Sequence, residues 1–171
     1  MRSSAAVWGL ERARNPAVLR LHTTIELTRA TIETLPPGRA PWPLEGLLST
    51  PGLRSMDLHR YRARLNLAPG TDPALLEARV GEILSPHLGP PVELPAEPPT
   101  RAFAVGYRGP RAVAESPVMA RAQPVLRAVF LVPGVAEAIL TDGTVQVRVG
   151  RLFGWDQVEE AVREALRPLS T

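Results

Sequence analysis

Apolar residues along this chain recur at two spacings, every second position in short runs and every third or fourth in two longer ones. Leu19, Leu21 and Thr23 alternate with Val18, Arg20 and His22, which predicts a strand over 17–24. A strand over 5–10 is expected before it, joined through an Arg14-Asn15-Pro16 turn. The proline-rich stretch 35–41 excludes helix, and 44–48 reads as a short helix ended near Pro51-Gly52. Residues 53–58 and 61–67 predict a hairpin. In its second arm Tyr61, Ala63, Leu65 and Leu67 face the core, while Arg62, Arg64 and Asn66 face outward. Asp72 is suited to an N-cap with Pro73 at the first helical position, and Leu76, Val80, Ile83, Leu84 and His87 keep helical spacing beyond it.

The second half repeats this order. Residues 92–94 are expected as a short first strand and 101–107 as the second, with Phe103, Val105 and Tyr107 on one face. A helical turn is expected over 117–121 and a helix over 125–131, ended by Pro133-Gly134. Thr141-Asp142-Gly143-Thr144 marks a tight hairpin turn, because glycine permits the positive φ such a turn requires. Val145, Val147 and Val149 alternate after it. Trp155, Val158, Val162, Ala165 and Leu166 form the stripe of a last helix.

Shifted by 82 residues, the two halves match in register with no gap between Leu44 and Leu88. Pro51-Gly52 falls on Pro133-Gly134, Glu77 on Glu159, Leu84 on Leu166 and Pro86 on Pro168. Apolar positions meet apolar positions in the same order, the signature of an internal duplication. The expected fold class is α+β: two tandem β-β-α-β-β-α modules, each a small sheet covered by two helices, packed as an intramolecular pseudo-dimer. The hairpin connections are too short for parallel crossovers. The expected division is a first module over 1–89, a proline-rich linker over 90–100, semi-rigid by composition, and a second module over 101–171.

The segment Gln123-Pro124-Val125-Leu126-Arg127-Ala128-Val129-Phe130-Leu131-Val132-Pro133-Gly134-Val135 resembles the N-terminal domain of Nfu/NifU-like iron–sulfur scaffold proteins. There an S-P-L-A-x-x-L-F-x-I-P-G-V segment precedes a hairpin ending x-V-x-V and a helix opened by Trp, here residues 145–149 and Trp155. Residues 14–21, Arg-Asn-Pro-Ala-Val-Leu-Arg-Leu, are similar to the family's T-P-N-P-N-x-L-K-F first strand. Longer members carry a Cys-x-x-Cys cluster site in a separate domain, and this chain contains no cysteine. The resemblance therefore implies a non-enzymatic scaffold or partner-binding role accessory to iron–sulfur cluster assembly, with no cluster held by this chain's own thiolates.

Composition narrows the chemistry further. Without cysteine there are no disulfides, zinc thiolates or thiol nucleophiles. No apolar run approaches the roughly 20 residues of a membrane span, and the first residues lack an apolar signal core, so a cytoplasmic protein is expected. All 20 basic residues are arginine, and the net charge is only +3. The densest basic cluster is Arg60, Arg62 and Arg64, with His59 and Tyr61 between them. Strand alternation places the three arginines on one face, which suits either a solvated outer face or an acidic partner. Binding of nucleic acid or an acidic protein through this strand is the alternative to the scaffold reading. His22, His59 and His87 show no metal-ligand spacing, and no phosphate loop or nucleophile elbow is present. No enzyme activity, metal or cofactor is therefore expected, and Trp155 reads as a core anchor.

Overall fold

The structure, a computed structural model, describes residues 5–35 and 38–170. Residues 36–37 of the proline-rich loop and residues 1–4, read above for a signal segment, lie outside these. The chain is α+β and divides into two compact units, Met1–Pro95 and Ala96–Thr171.

The first unit contains β1 (Trp8–Arg12), β2 (Val18–Thr23), β3 (Leu53–Leu58), β4 (Arg62–Leu67) and one long helix, α1 (Pro73–Leu88). Its sheet is antiparallel in the order β1-β2-β4-β3. Asp72 caps α1 as expected, its carboxylate accepting from the Ala74 N–H at 3.0 Å. The helix expected over 44–48 is instead a 3-10 turn, Leu47–Ser49. Gly46 has φ 86°, a left-handed conformation that no α-helix can carry through. This sheet therefore has one α-helix and a turn against it, not two helices. Leu44 and Leu47 still reach the core, fully buried beside Leu19, Met56, Leu65 and Leu84.

The second unit contains β5 (Arg101–Ala104), β6 (Ala112–Ala114), α2 (Pro117–Ala120), α3 (Pro124–Phe130), β7 (Val135–Thr141), β8 (Thr144–Val149) and α4 (Trp155–Leu166). The sheet order is β5-β8-β7-β6, again antiparallel throughout. Trp155, Val158, Val162 and Leu166 are the buried stripe of α4, packed on Phe103, Val145 and Val147. The Trp155 indole N–H donates to Pro99 O at 2.6 Å, so its polar edge is satisfied while its ring fills the core.

The 82-residue shift reappears as strand register. Leu19 pairs with Leu65 and Leu21 with Ala63; the same shift gives the observed Arg101–Val147 and Phe103–Val145 pairs. Met56–Leu65 corresponds to Ala138–Val147. A β-bulge lies between Leu53 and Ser55 in one hairpin and between Val135 and Glu137 in the other. Helices α1 and α4 begin at Pro73 and Trp155, also 82 residues apart. Three neighbouring strands of each sheet, β2-β4-β3 and β5-β8-β7, thus share pairing and bulge.

The fourth strands differ. The first unit adds β1 outside β2; the second adds β6 outside β7. Where β6 lies, the described residues of the first unit form only an isolated Ile32–Leu58 bridge. Residues 92–94, expected to open the second sheet, form no strand. The Val92 N–H donates instead to Trp8 O at 2.8 Å, within the first unit. Gly9 makes this approach possible: a Cβ there would stand 2.8 Å from Val92 O and from Leu94 Cδ2. The strand expected over 101–107 stops at Ala104, and the Ala112–Ala114 strand, too short and too weakly patterned to stand out, was not expected.

Candidate functional site

The outer face of the first sheet is built by alternation. Strand register places Glu11, Arg20, Arg64 and Asp57 in one row across β1, β2, β4 and β3, and Gly9, His22 and Arg62 in the next. Core side chains point the other way, and Glu11, Arg20, Asp57, Arg62 and Arg64 are all partly or wholly exposed on this one sheet face.

Arg62 and Arg64 lie on this face as the alternation predicts, and Arg64 is exposed. Arg60 does not join them. It sits before β4, in the turn that follows β3, and only 5% of it is exposed. Its Nε donates to Glu26 Oε2 at 2.8 Å, and its guanidinium lies 5.2 Å from the Tyr61 ring centroid. The expected three-arginine stripe is therefore corrected to two. Strand alternation ends at the turn, and a buried guanidinium requires the carboxylate that Glu26 supplies. Arginines on either side of this sheet are also matched by carboxylates. Arg20 lies 3.5 Å from Glu11, whereas Arg12, opposite the buried Leu19, turns to the helix side and pairs with Glu77 of α1 at 2.5 Å. The row is electrostatically mixed, a poor track for phosphates.

His22 is buried, its Nε2 3.2 Å from Glu11 Oε1. This pair is held by β1 and β2 on the sheet, and the described cavities are lined by other residues. His59 lies in the turn with Arg60, and His87 on α1 meets the edge of the half-exposed Trp42, ring centroids 6.0 Å apart. Among the described residues no three His, Asp or Glu side chains are grouped to hold a metal ion. No helix among the described residues is long and apolar enough to cross a membrane.

The second unit presents a different surface. The row of its outer face matching Arg20, Arg64 and Asp57 reads Ala102, Gln146, Ile139 and Val113, without charge, and the next row holds an Arg148–Glu137 ion pair at 3.2 Å. On the core side, between β5 and α4, lies a cavity of about 310 Å³ lined by Phe103, Ala104, Arg163, Leu166, Arg167 and Ser170. Glu159 on α4 bridges its rim, accepting from Arg101 at 2.9 Å and from Arg163 at 3.1 Å. Partial desolvation works to raise the Glu159 carboxyl, but the hydrogen bonds and charges of Arg163 and Arg101 outweigh it and hold the carboxyl below its ordinary value. The Arg163 guanidinium also lies 5.3 Å from the Phe103 ring centroid. None of these residues stood out in the sequence. The sequence placed Phe103 and Leu166 on core-facing stripes, and nothing in it signalled that their strand would lie at the sheet edge.

In comparisons with known proteins, the chain matches no family model, and no curated protein or solved structure matches it significantly.

Proposed function

We propose that this chain is a non-enzymatic protein-interaction scaffold made of two diverged copies of one β-β-α-β-β-α module, similar to the Nfu N-terminal domain. Its role would be accessory to iron–sulfur cluster assembly. The observation that carries the duplication is the common register: three neighbouring strands, a bulge and a helix start recur 82 residues apart. The scaffold role is supported by the chemistry of the surface. Arg12, Arg20 and Arg60 are each held by a carboxylate of the same unit, which suits a structural role for these cations. The exposed edge of β5 and the adjoining cavity offer a contact surface instead. The iron–sulfur connection rests on the Gln123–Val135 segment and Trp155 alone. Pull-down of the full chain against purified iron–sulfur assembly proteins tests it. Saturable capture of one of them is expected; capture of none would remove the pathway and leave the fold untouched.

A further inference from the structure

The two units treat one edge of their sheets differently. In the first, β1 runs antiparallel along the outer edge of β2, with Leu10 opposite Leu21 and Arg12 opposite Leu19. Trp8 of that strand is fully buried with Leu21 and Leu84, and its indole N–H donates to Gly89 O at 2.9 Å. Arg12, at the other end, pairs with Glu77 on α1. Strand β1 therefore closes the gap between sheet edge and helix with its own side chains.

In the second unit the counterpart of β2 is β5, and β5 is an edge strand. The counterparts of Leu21, Leu84 and Leu88 are Phe103, Leu166 and Ser170, and all three line the 310 Å³ cavity. The cavity thus stands where β1 packs in the first unit. The end of this edge is closed by the chain itself: Gly106 N–H donates to Leu169 O at 2.8 Å, as Thr24 N–H does to Val7 O at 3.1 Å in the first unit. The stretch Arg101–Ala104 has no strand on its outer side among the described residues. Alternation turns the Ala102 and Ala104 N–H groups outward, because Val105 N–H points inward to Gly143 O.

We infer that the second unit binds an extended segment of a protein partner as an added antiparallel strand along β5, with a large apolar side chain seated in the Phe103–Leu166–Ser170 cavity and an acidic residue beside it. Strand addition supplies main-chain hydrogen bonds along an exposed edge, and alternate side chains supply specificity. The apolar anchor follows from the role Leu10 and Trp8 play on the equivalent edge. The acidic residue follows from charge: Arg163 and Arg167 line the cavity and no carboxylate does. Of the nearby acids, Glu159 is shared between two arginines and Glu164 holds Arg167 at 2.6 Å, leaving the three-arginine group Arg101, Arg163 and Arg167 with an excess of one positive charge. This deepens the scaffold reading and rests on it for its biological meaning, not for its geometry.

The test uses the full chain and two labelled peptides by fluorescence anisotropy. One copies residues 5–14, Ala-Ala-Val-Trp-Gly-Leu-Glu-Arg-Ala-Arg; the other carries glutamate at both arginine positions. Saturable binding of both is expected, tighter for the acidic peptide, with the preference reversed by Arg163→Glu together with Arg167→Glu. Ala102→Pro removes one outward N–H without touching the β8 ladder, and is expected to abolish binding while circular dichroism and melting stay those of the parent. No saturable binding of either peptide, or undiminished binding to the folded Ala102→Pro chain, would overturn the inference. If the peptides bind but no assembly protein is captured, the groove stands and the iron–sulfur role falls. If Ala102→Pro captures an assembly protein as well as the parent does, the role stands and the groove is not its site.

Discussion

Arg60 and Arg64 are four positions apart in one arginine-rich stretch, yet they have opposite fates. Arg64 lies mid-strand, where alternation alone decides that it faces solvent. Arg60 lies in the preceding turn, folds inward and depends on Glu26, a carboxylate 34 residues away. Removing that carboxylate leaves a largely buried cation without the ion pair that Glu26 supplies. Glu26→Ala is therefore expected to lower unfolding free energy by about 1–3 kcal/mol, whereas Arg64→Ala should stay within about 0.5 kcal/mol of the parent. Urea denaturation of the two variants checks this; equal costs would show that Glu26 contributes nothing specific. The outward facing of Arg62 and Arg64 was readable from sequence because strand period is local. The burial of Arg60 was not, because its partner is distant in the chain.

At the scale of elements, the same helix start and the same glutamate serve two different contacts. Glu77 on α1 receives Arg12 from β1; Glu159 on α4, its counterpart, receives Arg101 from β5 and Arg163 from its own helix. Strand β5 is thus tied to α4 by an ion pair where β2 has a whole strand beside it. The Glu159 carboxyl is held below its ordinary value in the folded state, so its contribution is present above the unfolded value and is lost as pH falls through the folded one. Glu159→Gln is expected to reduce stability at neutral pH and to flatten the acid limb of the stability–pH curve. Urea melts taken from neutral pH down through the carboxylate range test this, and an unchanged acid limb would refute it. The hairpins, the Asp72 cap and the α4 stripe were legible from pattern. The 3-10 turn at Leu47–Ser49 was not, because apolar spacing over 44–48 cannot reveal that Gly46 adopts a positive φ.

At the scale of the molecule, each unit has its own core, and the two buried clusters share no residue. Residues 96–171, expressed alone, are expected to keep their far-ultraviolet circular dichroism and to unfold cooperatively; a non-cooperative melt would show that this core is insufficient. By itself the sequence determined the α+β class, the hairpins, the two main helices and the 82-residue repeat, because each follows from periodicity, capping or turn chemistry within a short span. Only the tertiary structure decided which edge each sheet extends. Residues 92–94 lie against β1 through a backbone bond to Trp8, and a three-residue strand occupies the far edge of β7. Those choices are made by non-local backbone pairing, which leaves little trace in side-chain pattern. They are also what cover the edge of β2 with Trp8 and Leu10 and leave β5 at the rim of its sheet.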